Sequence, residues 1–140
     1  MDIAAIEEAR QRVAPYIKRT PLEHSKTLSD HLGTNVSVKQ ELFQKTGSFK
    51  VRGAYNKLLS SSKDQLGRGV VAVSGGNHAQ AIAYASSVLG LDAIVLMPNN
   101  TPQNYVDATR GYGARVELTS SIAEAFEQAD VGVLAALEAR

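Results

Sequence analysis

The 140-residue chain contains no cysteine. This excludes a disulfide framework, a thiolate nucleophile and a cysteine-type zinc site, and it is compatible with a reducing compartment. Charge of one sign is not in excess either: 15 Lys and Arg face 14 Asp and Glu, for a formal net charge of +1. There is thus no electrostatic case for nucleic acid or an anionic membrane, and small molecules or other subunits are the expected partners. No apolar run approaches the length of a membrane span. The start, Met1-Asp2-Ile3-Ala4-Ala5-Ile6-Glu7-Glu8, is acidic and amphipathic where a secretory signal is basic and then continuously apolar, so the cytoplasm is the expected location. Solenoid-period repeats and low-complexity tracts are also missing. His24, His31 and His78 are scattered, with no His/Asp/Glu cluster at ligand spacing, so no catalytic metal is expected. Glu7, Glu8, Glu124 and Glu127 read as solvated helix faces, and no carboxylates are paired for acid–base work.

What remains is an ordinary globular composition, 44% hydrophobic and 21% charged, long enough for one domain or one and a piece. Asp2 is placed to cap a helix whose apolar residues are Ile3, Ile6, Val13 and Ile17, ended or kinked by Pro15 near Ala14. Arg19-Thr20-Pro21-Leu22 reads as extended chain. Leu28 to Leu32 suits a short helix closed by Gly33, and Val36 to Lys39 alternates like a strand. A helix is expected from Phe49 to about Ser60, with Ser60 to Asp64 as its frayed exit. The pattern then becomes regular. Strands at Val70–Val73, Ala93–Met97 and Arg115–Leu118 alternate with helices at about His78–Leu89 and Thr101–Tyr112, the latter with Thr101 as N-cap and Pro102 at its first position. A last helix, roughly Ser121 to Arg140, places Ile122, Phe126, Ala129, Val133 and Leu137 on one stripe. Such alternation predicts an α/β fold with a short parallel sheet and flanking helices, and ligands bind beyond the carboxyl ends of such strands.

Two stretches carry chemistry. In Lys45-Thr46-Gly47-Ser48-Phe49-Lys50-Val51-Arg52-Gly53, a small-polar run able to cap a helix leads into Phe49 and Lys50, which puts a lysine in a first helical turn. Unpaired amides and the macrodipole disfavour positive charge there, with Arg52 pushing the same way, and this favours the neutral amine that an imine-forming lysine needs. The same residues also suit a surface lysine with its stem over Phe49. In Ser74-Gly75-Gly76-Asn77-His78, two glycines between a buried strand and a helix start allow a tight turn and close approach of the backbone to an anion. The third glycine of a dinucleotide fingerprint, the Gly-Lys-Ser/Thr of a Walker loop and the upstream glycine of a nucleophile elbow are all absent. A plain strand-to-helix turn capped by Asn77 remains an alternative, as does a structural role for His78.

Together, Thr46-Gly47-Ser48-Phe49-Lys50-Val51-Arg52-Gly53-Ala54 and the later Ser74-Gly75-Gly76-Asn77-His78-Ala79-Gln80 closely resemble the fold-type II pyridoxal-phosphate enzymes, nearest to the threonine/serine dehydratases (threonine ammonia-lyases). Arg19-Thr20-Pro21-Leu22, Met97-Pro98 with Thr101-Pro102, and Ala108-Thr109-Arg110 with Tyr112-Gly113-Ala114 extend the likeness, in order, from about Ile6 to Ala129. The resemblance implies a tryptophan-synthase-beta-like fold in incomplete form, with residues 1–52 the N-terminal part of a large domain and 53–140 most of a small α/β domain. It implies pyridoxal 5'-phosphate as cofactor, held covalently by Lys50, with Phe49 against the pyridine ring and Asn77 on the ring hydroxyl. Ser74, Gly75, Gly76, Asn77 and His78 would grip the carboxylate of a small amino-acid substrate. The implied activity is β-elimination from L-threonine or L-serine to a 2-oxo acid and ammonia, within amino-acid metabolism such as isoleucine biosynthesis.

Two departures qualify these expectations. Gly75 stands where related serine racemases are expected to carry a hydroxyl, which favours elimination over racemisation. The family's glycine-rich phosphate loop and its later contact to the pyridine nitrogen have no counterpart in the sequence. The chain is therefore expected to be an N-terminal portion with weak or absent activity, with early strands that lack sheet partners and a tendency to homo-oligomerise or self-associate through exposed edges. A non-catalytic fragment or interaction module, serine racemisation and β-replacement are the alternatives.

Overall fold

The computed structural model describes residues 2–131. Asp2 Oδ1 accepts the Ala5 N–H at 2.8 Å and opens α1 (Ile3–Val13), and Pro15 turns the chain through a 3-10 turn at Ala14–Tyr16. The expected apolar stripe holds only at the C-terminal end of α1. Val13 is buried, with Tyr16 and Ile17 packed beside it, while Ile3 and Ile6 face solvent because only the last turn reaches another element. Ser25 caps α2 (Lys26–Leu32), closed by Gly33.

Strand β1 (Leu22–His24) pairs antiparallel with β2 (Ser37–Lys39) in the register Leu22↔Lys39 and Glu23↔Val38. The early strands thus have a partner, contrary to expectation: they satisfy each other as a two-stranded ribbon, although every residue in it is exposed.

From α3 (Lys50–Ser60) onward the chain builds a layered α/β unit. The expected frayed exit is a helical turn, α4 (Lys63–Leu66). Its Ser62 Oγ accepts the Gln65 N–H while Gln65 Oε1 accepts the Ser62 N–H, a reciprocal cap that the spacing Ser62-x-x-Gln65 encodes. Strands β3 (Val70–Val73), β4 (Ala93–Pro98) and β5 (Arg115–Thr119) form a parallel sheet in the order β3-β4-β5. They are joined by crossover helices α5 (Asn77–Val88) and α6 (Gln103–Gly111), as the alternating pattern predicts.

Alternation along β4 sorts the core. Ala93, Val95 and Met97 face Ala79 and Ala83 of α5 and Val106 of α6, whereas Ile94 and Leu96 face Ala125 of α7 (Ile122–Val131). In α7 the buried residue is Ala125 with Ala129 half-buried, and Ile122 and Phe126 are exposed. A small side chain lets the helix sit close to the sheet, which moves the contact stripe off the larger residues; Val133 and Leu137 lie outside the described residues. Helix α5 is buried on two sides, since its Ala81, Ile82 and Ala85 meet Val51, Ala54, Tyr55 and Leu58 of α3. That sandwich explains its run of small residues. It also fixes the N-termini of α3 and α5 relative to the carboxyl ends of the strands.

Candidate active site

Lys50 is the first residue of α3, as the sequence predicts, but the small-polar run does not cap the helix. Phe49 occupies the N-cap position in helical conformation with no side-chain cap bond, and the buried Ser48 Oγ has no hydrogen-bond partner. Lys50 Nζ lies 5.2 Å from the centroid of the Phe49 ring, which is 59% exposed despite being wholly apolar. An aromatic face and an amine are therefore presented to solvent together.

The second stretch follows β3 directly. Ser74 N–H donates to Leu96 C=O at 3.0 Å, which ties the turn to β4, and Ser74 Oγ accepts the Gly76 N–H at 3.2 Å. Gly76, not Asn77, is the N-cap of α5, again without a side-chain cap bond. Asn77 becomes the first helical residue and is exposed with His78, so its side-chain amide is left for an outside partner. The third approach is the β4–α6 connection. Thr101 is not the N-cap of α6; extended Pro102 (ψ 135°) is, and no side chain caps this helix either. Thr101 instead lies against Gly75.

Capping divides the described α-helices by location. Asp2, Ser25, Ser62 and Ser121 hydrogen-bond the first amides of α1, α2, α4 and α7. The N-termini of α3, α5 and α6, which carry Lys50, Asn77 and the Thr101 connection, have no such bond. An uncapped first turn leaves N–H donors for a ligand, and its dipole favours an anion.

Electrostatics links the first two approaches. The His78 imidazolium is disfavoured, chiefly because the protein surrounds part of the ring and further because the Lys50 charge reaches it, so its pKa lies below the ordinary histidine value. Lys50 and Asn77 are the first residues of α3 and α5, two helices that pack directly on each other. A concavity of about 530 Å³ along the free side of β3 takes in His78, Val73, Ile82 and Phe126 but neither Lys50 nor the Ser74–Gly76 turn, and it is secondary to this constellation.

Residues outside both motifs hold Lys50 in place. Arg52 Nε and Nη2 donate to Glu41 Oε2 and Oε1, each at 2.8 Å, and Thr20 Oγ1 donates to Glu41 Oε1 at 2.5 Å. Arg52 is therefore neutralised, which corrects the expectation that its charge acts on Lys50. The Arg52 hydrogen bond, working against burial and assisted by Thr20, holds the Glu41 carboxyl below the usual range. Buried Gln44 grips the backbone of residue 18, accepting the Lys18 N–H at 2.9 Å and donating to the Lys18 C=O at 2.7 Å. Between Gln44 and Lys50, Thr46 adopts φ +64°, a left-handed conformation that costs a β-branched residue about 1–2 kcal/mol. Glu41 and Gln44 belong to no motif in the sequence, and Thr20 was singled out only within Arg19-Thr20-Pro21-Leu22, with no role; the signal for Glu41 was Arg52, which needs an acidic partner once half-buried.

Residues 13–139 match the family described as pyridoxal-phosphate dependent enzyme. The chain is 45% identical over 119 residues to a catabolic L-threonine dehydratase of Staphylococcus aureus, covering 84% of this chain and 34% of that protein. It is 44% identical over 125 residues to an L-threonine ammonia-lyase of Thermotoga maritima, covering 89% and 31%. The structure of maize serine racemase superposes with a TM-score of 0.85 at 37% identity, covering 92% of this chain and 40% of that one. The chain spans about a third of the length of the curated relatives it matches.

Proposed function

Because this chain belongs to the pyridoxal-phosphate-dependent enzymes of fold type II, we propose that its site is built for β-elimination from L-threonine or L-serine to a 2-oxo acid and ammonia. The observation that carries this reading is that the three helix N-termini beside Lys50, the Ser74–His78 turn and Thr101 all lack side-chain caps, with Thr101 lying against Gly75. The family's cofactor, when bound, supplies an electron sink for charge developing at the substrate α-carbon.

The residues present suit the ring end of that group. Lys50 would hold it, the exposed Phe49 face would lie against its ring, and the free Asn77 amide would hydrogen-bond its ring hydroxyl. The partnerless, buried hydroxyls of Thr46 and Ser48 next to this spot support an absent polar neighbour. No second glycine cluster follows Gly76 to serve its phosphate. Lys50 Nζ would take the α-proton, at a helix terminus where a second positive charge is unwelcome. Ser74, Gly75, Gly76, Asn77 and His78 would bind and orient the substrate carboxylate through N–H donors of the α5 terminus. A His78 kept neutral adds a donor without adding a cation.

The maize enzyme raises racemisation as the second reading, and Gly75, which brings no side chain to the turn, favours elimination. The word catabolic in the name of the Staphylococcus relative favours a degradative setting over isoleucine biosynthesis. Self-association fits the uncharged outer edge of β3, Val70–Val73. Incubation with pyridoxal 5'-phosphate and L-threonine or L-serine tests the reading. Slow, Lys50-dependent release of 2-oxobutanoate or pyruvate without D-serine is expected. D-serine in excess of pyruvate would establish racemisation instead, and a chain that develops no Lys50-dependent visible absorbance is a non-catalytic module.

A further inference from the structure

We propose that Thr101 is a positioning residue for the Ser74–His78 turn, and that positions 75 and 101 form a coupled pair of which only one can carry a side chain into the space between them. The proposal rests on the substrate-binding reading of that turn. A Cβ placed on Gly75 would stand 2.5 Å from Thr101 Oγ1, 3.4 Å from its Cγ2 and 3.5 Å from its Cβ. The first distance is far inside van der Waals contact. Rotating Thr101 is a poor escape, because a β-branched side chain is stiff at χ1 and moving Oγ1 away swings Cγ2 into play. The backbone is pinned as well, by the Thr101 N–H donating to Pro98 C=O at 2.9 Å.

Thr101 therefore does for the turn what a side chain at 75 would otherwise do. It fills the gap between the β3–α5 and β4–α6 connections and fixes the position of Gly75, and with it the path of the turn into the first turn of α5. The side chain is free for this because Pro102 has taken over the start of α6, so its hydroxyl caps nothing. Gly76, by contrast, has no atom within 4 Å of its own Cβ position, so the restriction is specific to position 75.

The test is a double-variant cycle on the 140-residue chain, titrated with L-serine in the presence of pyridoxal 5'-phosphate while the amide resonances of residues 74–78 are followed. Gly75→Ser is expected to weaken binding at least tenfold, the scale of overpacking a tight site, and Thr101→Ala about threefold. Gly75→Ser combined with Thr101→Ala should return to within about threefold of the wild type, and Thr101→Val, which keeps the volume, should bind like the wild type. Additive losses, a harmless Gly75→Ser, or Thr101→Val as damaging as Thr101→Ala would each overturn the proposal while leaving the substrate reading intact. A wild type that shows no response to L-serine would sink the substrate reading and this proposal with it. If Gly75→Ser alone does not fold, a cooperative unfolding transition in the double variant is the expected rescue, and an unfolded double variant overturns the pairing.

Discussion

The loop that delivers Lys50 and the turn that delivers His78 meet within electrostatic reach but are held by different forces. Around Lys50 the backbone is fixed by polar side chains: Gln44 on residue 18, Glu41 on Arg52, Thr20 on Glu41. That network sustains an unfavourable Thr46 conformation immediately before the lysine. The Ser74–His78 turn has one internal hydrogen bond to a side chain and is otherwise carried by β3, by α5 and by contact with Thr101. The contrast separates two requirements of a site. A group that reacts must be held firmly by its surroundings, whereas a group that binds an anion must leave its own donors unspent.

Substitutions around Lys50 break the comparison in order of their expected size, the first of them set against a control on the turn. Gln44→Ala removes three hydrogen bonds at a buried position, and leaves the Lys18 N–H and the Lys45 N–H without partners and the Lys18 C=O with only the long 3.4 Å bond from Arg52 Nη2. A loss of about 3 kcal/mol in urea unfolding is expected. Asn77→Ala, on the exposed turn, should change stability by less than about 0.5 kcal/mol; a large loss there would mean that the turn is also held by its side chains. Glu41→Gln keeps the shape but removes the charge facing a half-exposed Arg52, and about 1.5 kcal/mol is expected after allowance for solvent screening. Since Glu41 has a lowered folded-state pKa, its contribution is present above the usual glutamate range and is lost as pH falls through the folded value. The wild type should therefore lose stability on acidification more steeply than Glu41→Gln.

Thr46→Gly should be stabilising by about 1 kcal/mol, because glycine accepts φ +64° without strain. A destabilised variant would show that the buried Thr46 hydroxyl has a role the strain argument omits. The smallest effect sharpens the link between the two regions. Lys50→Ala removes one of the two causes that depress the His78 pKa, so an upward movement of the imidazole titration is expected by NMR, with the burial contribution remaining. A depressed folded pKa also means that His78 costs stability as pH falls below its ordinary value, and Lys50→Ala should reduce that cost.

The parallel sheet was readable because two apolar strands and one alternating strand, Arg115–Thr119, are interleaved with helices, and each lies near a glycine or proline. The parallel pairing and the crossover helices follow that alternation, and Lys50 opens a helix as its stretch predicts. Local chemistry was harder to read. Thr101-Pro102 has the form of a cap and first helical residue, yet the side chain serves Gly75, a contact that only the folded connection creates. Asn77 and Ser48 have the composition of caps and do not cap, because Gly76 and Phe49 hold the N-cap positions instead. Arg52 reads as a free cation until Glu41, eleven residues upstream, is brought to it. In α7 the helical spacing of Ile122, Phe126 and Ala129 predicted the buried stripe, but the sheet accepts Ala125. Each of these misreadings concerns a pair of residues that tertiary structure brings together, which periodicity along one segment cannot report.

The central claim is that Lys50 is singled out from other exposed lysines by its place at an uncapped helix start beside Phe49. Treating the chain with a stoichiometric amount of pyridoxal 5'-phosphate, reducing with borohydride and mapping the modified peptide by mass spectrometry tests it directly. The account predicts a label concentrated on Lys50 and displaced by neither Lys18→Ala nor Lys39→Ala. A label spread evenly over the exposed lysines, or one that persists undiminished in Lys50→Ala, would contradict it.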